Sequence, residues 1–152
     1  MNKVAFITGA SRGIGREAAL AFARAGFDLA ISARTLNEGE QHEHALRDAA
    51  GAPLAGSLNG TAEALRELGC RVLVVPMDLL DSASALAACA AVLAEYGRID
   101  VLINNAIYQG SDLNAGFMDL QAQTLERMFQ GYILTPWLTS RTARMNAVAI
   151  FV

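Results

Sequence analysis

The chain has 152 residues, of which 53% are hydrophobic and 18% are charged, and its formal net charge is −3. This length suggests about one domain, and the apolar composition can fill a core, which excludes disorder of the whole chain. The mildly acidic charge and the absence of an apolar run of roughly 20 residues exclude nucleic acid and a membrane as expected partners. The pattern of the first residues is not the one expected of a secretory signal, and the two cysteines form neither a disulfide framework nor a metal-type pair. We therefore predict a cytoplasmic protein.

Short apolar runs alternate with helical patterns along the chain, which is typical of βαβ units and a parallel sheet. The predicted strands are residues 4–7, 29–33, 72–75 and 101–103, followed at the end by an apolar strand at 147–152. The predicted helices are residues 14–25, residues 61–68, a helix that runs from its cap Ser82 to Gly97, and residues 121–145 with a kink at Pro136. Residues 35–60 lack periodicity and are predicted to form an irregular surface excursion. The pattern predicts an α/β fold with a doubly wound parallel sheet in the order 3-2-1-4-5.

The first strand is joined to the first helix by a glycine-rich turn, Thr8-Gly9-Ala10-Ser11-Arg12-Gly13-Ile14-Gly15. Glycine at these positions permits a tight turn, close approach of the backbone to a ligand and close helix–strand packing. The first amides of the helix then face a pyrophosphate. A purely structural turn is the alternative, because glycine is common between strands and helices. The position directly after a strand and before a helix favours cofactor binding at the carboxyl ends of strands 1 and 4.

Three segments in chain order resemble the N-terminal motifs of the short-chain dehydrogenase/reductase family. They are the glycine turn, Asp78-Leu79, and Asp100-Val101-Leu102-Ile103-Asn104-Asn105-Ala106. The resemblance covers nearly the whole chain apart from residues 35–60. It implies that residues 1–152 form one dinucleotide-binding Rossmann-like domain, truncated after the fifth strand of a fold that usually continues to roughly 250 residues. An apolar edge strand without cover would then make the chain poorly soluble.

The resemblance also implies which residues bind the cofactor. In the glycine turn, the residues implied are Gly9, Ser11, Arg12, Gly13, Ile14 and Gly15. Asp78 and Leu79 would flank the adenine, and Asn105 and Ala106 would line the ribose side. The alternative for Asp78 is a capping or turn aspartate, and the alternative for Asn104 and Asn105 is a turn at the end of a strand.

The choice between NAD and NADP is argued from charge at the end of the second strand. An acidic residue there would accept a hydrogen bond from the ribose 2′-OH of NAD and would repel the 2′-phosphate of NADP. That position is Ala33, followed by Arg34, and Arg12 lies in the glycine turn. Arginine suits bidentate phosphate recognition, so two arginines near one ribose favour NADP(H). The alternative is that Arg34 is a solvated loop cation.

The resemblance implies a catalytic tyrosine whose pKa is lowered by a lysine four residues later, with a serine and an asparagine completing the site. None of the three tyrosines is followed at that spacing by lysine, and the only lysine, Lys3, precedes the first strand. No catalytic residue is therefore predicted in this chain. Tyr132 stands where the relay asparagine usually lies. Ile107 replaces the glycine that usually follows Ala106, and we expect it to narrow the nicotinamide end of the pocket.

Taken with the family resemblance, the chain is expected to be the cofactor-binding part of an NADP-preferring oxidoreductase. Its reaction would be hydride transfer on a small carbonyl or alcohol substrate, and the full-length protein would be a homo-oligomer. Two alternatives stay open, which are a non-catalytic dinucleotide-binding or sensor module and an inactive fragment. Reading the coding sequence beyond Val152 would discriminate between them.

The irregular excursion holds two histidines, His42 and His44, among several carboxylates. Such residue types can bind a metal ion, but no strand or helix periodicity aims them at a common point. We interpret them as part of a solvated acidic loop, and no metal site is predicted.

Overall fold

The structure is a computed structural model, and it describes residues 2–45, 47–143 and 148–151. Within these residues five parallel strands form one sheet in the order β3-β2-β1-β4-β5. The strands are β1 (Val4–Thr8), β2 (Asp28–Ala33), β3 (Val72–Pro76), β4 (Val101–Asn104) and β5 (Val148–Phe151). In the register, Phe6 of β1 pairs with Ala30 on one side and Leu102 on the other. The predicted fold class and strand order are confirmed.

Helices cover both faces of the sheet, as a doubly wound fold requires. The helices are α1 (Gly13–Arg24), α2 (Leu58–Glu67), α3 (Ser82–Tyr96), α4 (Ala122–Phe129) and α5 (Thr135–Thr142), and a π-helical segment (Gln130–Leu134) joins the last two. Helices α1 and α2 pack on one face, and α3 packs on the other together with α5. In the described stretches no helix combines the length and apolarity that crossing a bilayer requires.

The buried strands explain why the sequence reads as short apolar runs. Along β1, Val4 and Phe6 belong to the core under α3, whereas Ala5 and Ile7 belong to the core under α1 and α2. Successive side chains of a strand point to opposite faces, so a strand covered on both faces must be apolar throughout. All five residues of β1 are buried.

Helix α2 begins at Leu58, earlier than the predicted start at residue 61, so the irregular segment ends at Ser57 rather than Gly60. The reason is a helix cap, because the Ser57 hydroxyl accepts a hydrogen bond from the Gly60 amide at 3.1 Å. Helix α3 is likewise capped by Asp81, whose carboxylate accepts from the Ala83 amide at 2.9 Å, and not by Ser82. The predicted end of α3 is confirmed, since Gly97 adopts a φ of +71°.

The helix predicted over residues 121–145 is divided, but not at Pro136. The interruption is the π-helical segment before it, and Pro136 lies in the first turn of α5. Proline is tolerated there because the first helical amides have no partner within the helix. At Gly131, in the π-helical segment, a Cβ would lie 3.1 Å from the Cβ of Tyr108. The predicted end of the helix at residue 145 lies outside the described residues.

Strand β5 accounts for the described part of the apolar run predicted at 147–152, whose first and last residues lie outside that part. It pairs in parallel with β4, with Val148 opposite Val101. All four of its residues are exposed, and it lies at one edge of the sheet.

Candidate cofactor site

A cleft of about 290 Å³ opens at the carboxyl ends of the strands, where the chain leaves β1 between β2 and β4. This is the point at which the strand order reverses, and it is the usual ligand site of open α/β sheets. The loops after four strands line it, together with part of the excursion. The lining residues are Gly9, Ser11, Arg12, Ile14, Ala33, Arg34, Thr35, His44, Ala45, Leu54, Met77, Asp78, Leu79, Leu80, Asn105, Ala106, Ile107, Tyr108 and Gln109.

The structure brings nearly all the sequence-predicted site residues together in this cleft. Those that line it are Gly9, Ser11, Arg12, Ile14, Arg34, Asp78, Leu79, Asn105 and Ala106. Gly13 and Gly15 are predicted site residues that do not line it. Ile14, the first large side chain of α1, is 69% exposed and faces open space at the mouth of the cleft rather than the core.

The glycine turn needs its glycines for reasons that differ between positions. A Cβ on Gly15 would lie 2.3 Å from the Gly9 carbonyl oxygen and 2.5 Å from Nδ2 of Asn105. A Cβ on Gly9 would lie 2.8 Å from the Cα of Ala106. Gly13 faces open space, but its φ of +56° favours glycine. Gly9 and Gly15 therefore allow α1 to pack close to the turn, which leaves the start of the helix at the cleft.

Thr8 and Asn105 tie the ends of β1 and β4 together beneath the cleft. The Thr8 hydroxyl donates to the Ile103 carbonyl at 3.2 Å and accepts from the amides of Asn105 and Ala106, both at 3.1 Å. The Asn105 side-chain amide donates to the carbonyls of Thr8 and Gly9 at 2.9 and 3.2 Å. Asn105 thus fixes the conformation of the glycine turn, which is a structural role in addition to its place in the lining.

Asn104 and Asp78 also have well-defined structural partners. The Asn104 side chain is buried, and it donates to Ser140 at 3.1 Å and accepts from Thr139 at 2.9 Å, both on α5. The Asp78 carboxylate accepts from the Leu80 amide at 2.9 Å, which makes it a turn aspartate. Asp78 lines the cleft as well, so the two interpretations offered for it are compatible.

Arg12 and Arg34 both line the cleft, but their guanidinium groups already hold backbone carbonyls of the excursion. Arg12 donates from Nε to Ala55 at 2.9 Å and from Nη2 to Gly56 at 2.8 Å. Arg34 donates from Nη1 to Glu43 at 2.7 Å. Arg34 is therefore hydrogen-bonded to the excursion.

His44 lies in the irregular loop, as predicted, but its side chain is half-buried and borders the cleft. His44 lines the cleft, and its ring centroid lies 5.8 Å from that of Tyr108, edge to face. Its φ of +53° is unusual for a residue other than glycine, and Ala45 and Leu54 also line the cleft. No local pattern marks these residues, although the length of the excursion is itself typical of functional loops.

His42 does not reach the cleft, and its Nε2 lies 3.6 Å from a carboxylate oxygen of Glu40. The described part of the chain contains no group of three or more His, Cys, Asp or Glu side chains placed to share a metal ion.

Tyr108 is a buried residue of the cleft that the sequence patterns did not single out as a site residue. Its hydroxyl donates to Asp112, with oxygen–oxygen distances of 2.7 and 2.8 Å. Asp112 also accepts from Thr124 at 2.9 Å and from Arg127 at 3.0 Å. These hydrogen bonds lower the pKa of Asp112 to about 2, and the bond from Tyr108 has the largest effect. Burial, together with the Asp112 carboxylate, raises the pKa of Tyr108, so its phenol keeps its proton at neutral pH and cannot accept another group's proton there.

The two predicted departures from the family pattern lie on either side of Tyr108. Ile107 is half-exposed and lines the cleft. Tyr132 lies in the π-helical segment, and its hydroxyl donates to the Tyr108 carbonyl. Tyr132 is not part of the lining. At this position the side chain supports the loop after β4.

Lys3 cannot take part in chemistry at this cleft. It precedes β1, whereas Gly9 follows β1, so the two residues lie at opposite ends of this strand, roughly 20 Å apart at the rise of a strand. Among the cleft-lining residues that the structure describes there is no lysine to pair with Tyr108.

The parallel sheet, its strand order and the cleft at the switch point define a Rossmann-like α/β protein. The chain belongs to the short-chain dehydrogenase/reductase family. The family model for short chain dehydrogenases matches residues 3–58 and 52–146, and this match confirms the resemblance seen in the sequence motifs.

Relatives and solved structures support the same placement. Human "Dehydrogenase/reductase SDR family member 7" is 40% identical over 102 residues, which is 67% of this chain and 26% of the relative. "Uncharacterized oxidoreductase YohF" of Escherichia coli (strain K12) is 30% identical over 148 residues, which is 97% of this chain and 50% of the relative. The X-ray structure of an alcohol dehydrogenase from the archaeon Thermococcus sibiricus, complexed with 5-hydroxy-NADP, is similar with a TM-score of 0.73 and 28% identity, and the match covers 98% of this chain and 57% of that one.

The chain therefore spans between a quarter and a half of the length of these curated relatives. Solved structures that share its fold include complexes with NADP and with NAD, so likeness of fold alone does not select between the two cofactors.

Proposed function

We propose that the chain binds NADP(H) in the cleft at the ends of β1 to β4. This proposal assigns residues 1–152 to a dinucleotide-binding domain. The observation that carries it is the positive charge in the lining of the cleft. Arg12 and Arg34 both line it, and the position after β2 where an acidic residue would favour NAD is Ala33.

The residues present fit such a cofactor. Gly9 and Gly15 leave no room for a Cβ, so the turn and the start of α1 can approach a pyrophosphate closely. In this proposal Ser11 and Ile14 lie beside the phosphates, as does Gly13, whose positive φ shapes the turn. Arg12 and Arg34 bind the 2′-phosphate. The remaining assignments are Asp78 and Leu79 beside the adenine, and Asn105 and Ala106 on the ribose side.

The reaction proposed for the protein is hydride transfer between NADP(H) and a small carbonyl or alcohol. The bound cofactor would supply or accept the hydride. The contribution of this chain is to bind and orient the cofactor, since Tyr108 is held by Asp112 and Lys3 lies at the opposite end of β1 from the cleft. In the full protein a cytoplasmic location and self-association into a homo-oligomer are proposed as well, on the family resemblance.

Titration calorimetry with NADPH and NADH tests the cofactor proposal. We expect NADPH to bind more tightly, because a guanidinium forms charge-assisted hydrogen bonds with a phosphate. Arg34→Asp should weaken NADPH binding by about tenfold or more and NADH binding far less. Arg66→Asp makes the same change of charge on the exposed face of α2 and should leave both affinities unaltered. Equal losses for the two cofactors in the Arg34 variant would contradict the assignment.

The absence of a tyrosine–lysine pair among the described cleft residues favours a second candidate, a dinucleotide-binding module without catalysis of its own. The two candidates differ in turnover. NADPH consumption in the presence of a panel of aldehydes and ketones would support the oxidoreductase. Tight binding of NADPH without consumption would support the binding module.

A further inference from the structure

The 35–57 segment, of which the structure describes all residues but 46, reaches both sides of the crevice. On the β1 side, a Cβ on Gly56 would lie 2.6 Å from the Ser11 carbonyl oxygen and 2.7 Å from the Cβ of Arg12. On the β4 side, His44 contacts the Tyr108 ring. Leu54 lines the cleft between these contacts. The segment is therefore part of the cofactor site and not a remote surface loop.

Hydrogen bonds within the segment give it a defined shape. A carboxylate oxygen of Glu38 accepts from the Gly56 amide at 2.6 Å, so the two ends of the segment are joined. Asp48 accepts from the amides of Ala50 and Ala52 at 2.9 and 2.8 Å and closes the turn at its tip. A segment held together in this way can leave or approach the crevice as a unit.

The contacts that anchor the segment use the guanidinium groups assigned to the 2′-phosphate. The carbonyls of Ala55 and Gly56 occupy Arg12, and the carbonyl of Glu43 occupies Arg34. A phosphate dianion is a stronger partner for a guanidinium than a neutral carbonyl, because the hydrogen bond is charge-assisted. Glu43 and Ala55 are exposed, so water can satisfy their carbonyls once the arginines turn away.

We propose that the backbone carbonyls of the 35–57 segment compete with the 2′-phosphate for Arg12 and Arg34, so that this segment sets the selectivity of the site. The inference rests on the proposed NADP(H) binding. A ligand with a 2′-phosphate displaces the segment from both arginines, whereas NADH brings no such anion and leaves the contacts in place. When the segment is bound to the two arginines, it lowers the affinity for NADPH but not the affinity for NADH. Gly56 is the residue that allows the segment to lie this close to the glycine turn.

Hydrogen exchange of the full chain tests the displacement directly. The probes are NADPH and adenosine 2′,5′-bisphosphate, which carry a 2′-phosphate, and NADH and ADP, which do not. We expect the first pair to speed exchange of the amides between residues 38 and 56 by about fivefold, as local opening would. The second pair, at saturation measured by calorimetry, should leave exchange of these amides unchanged.

Two glycine variants test the competition itself. Gly56→Ala places a Cβ against Ser11 and Arg12 and should push the segment off the turn. Gly51→Ala is the matched control, because it also has a positive φ, +81°, but its Cβ meets no atom within 4 Å. We expect Gly56→Ala to speed exchange without ligand and to tighten NADPH binding several-fold relative to NADH, and Gly51→Ala to do neither. A urea unfolding curve for each variant verifies that it is folded.

The outcomes separate the two proposals. If NADPH and NADH both bind and alter exchange of the segment alike, or neither alters it, the competition is refuted while the cofactor proposal stands. If neither cofactor binds, the cofactor proposal fails and the competition fails with it. The ligand comparison on the unsubstituted chain decides the question even if Gly56→Ala does not fold.

Discussion

Replacing Gly15 by alanine is expected to destabilise the protein, although helix propensity alone predicts the reverse. Gly15 lies in the first turn of α1, and alanine in place of glycine within a helix is worth roughly 0.5–1 kcal/mol. The structure opposes this gain. The new Cβ would lie 2.3 Å from the Gly9 carbonyl oxygen, about 1 Å short of the roughly 3.5 Å at which non-bonded atoms make contact.

The atoms that Gly15→Ala would meet cannot easily move away. The Gly9 carbonyl is backbone, and Nδ2 of Asn105 is fixed by its hydrogen bonds to Thr8 and Gly9. The start of α1 must therefore move by about 1 Å, and overpacking of this kind costs about 1–3 kcal/mol. Subtracting the gain in propensity leaves a net loss of up to about 2.5 kcal/mol, which corresponds to a Tm lower by up to roughly 10 °C. Binding of NADPH should weaken by about tenfold, because the helix start leaves the cleft.

Urea and thermal unfolding measure the stability of Gly15→Ala, and calorimetry measures its affinity for NADPH. Gly60→Ala is the control, because Gly60 also lies near the start of a helix and its Cβ would meet only the Ser57 hydroxyl, at 3.2 Å. That variant should be as stable as the unsubstituted chain or slightly more so. If Gly15→Ala proves equally stable and binds NADPH unchanged, the close packing of α1 on the glycine turn is wrong.

Three further predictions follow from single features of the structure. Because the folded pKa of Asp112 is lowered to about 2, its stabilising effect is present above the unfolded pKa of about 3.9 and is lost as the pH falls through 2. Urea midpoints of Asp112→Asn should therefore lie below those of the unsubstituted chain at neutral pH and converge with them towards pH 2, and equal midpoints at pH 7 would contradict this. Burial raises the pKa of Cys70 and Cys89 to about 11. Alkylation of these thiols at pH 8 should therefore be slow in the folded chain and faster once urea unfolds it. Equal alkylation rates in the folded and unfolded chains would argue against this burial. The exposed strand β5 should drive concentration-dependent self-association, which sedimentation experiments measure. Val148→Lys should reduce this self-association. If the unsubstituted chain is a monodisperse monomer, the prediction is refuted.

The features that the sequence predicted correctly are those determined by neighbouring residues. Strand positions follow from apolar runs such as 4–7 and 101–103, since a strand covered on both faces has no polar alternation. The strand order and the position of the glycine turn at the cleft follow from motifs that lie next to those strands. The end of α3 follows from a single residue, because Gly97 adopts the left-handed conformation that often ends a helix.

The features that the sequence did not predict depend on contacts between distant parts of the chain. Gly56 lies in a stretch rich in glycine, alanine and proline that is typical of a solvated loop. Its requirement for glycine comes from Ser11 and Arg12, more than 40 residues earlier. His44 likewise enters the cleft because it meets Tyr108. No local periodicity records either contact, so the excursion was predicted to lie at the surface.

Ile107 and Tyr132, which seemed to be separate departures from the family pattern, are joined in the structure through Tyr108. The Tyr132 hydroxyl holds the Tyr108 carbonyl, and Asp112 holds the Tyr108 hydroxyl, so this residue is fixed at both ends. Ile107 is its immediate neighbour and has an ordinary backbone φ, so the glycine usual at that position is not required by the conformation of the loop. The residue at the position of the relay asparagine therefore supports a rigid loop that presents Ile107 to the cleft. Replacing Tyr132 with asparagine would remove this hydrogen bond to the Tyr108 carbonyl and would loosen that loop.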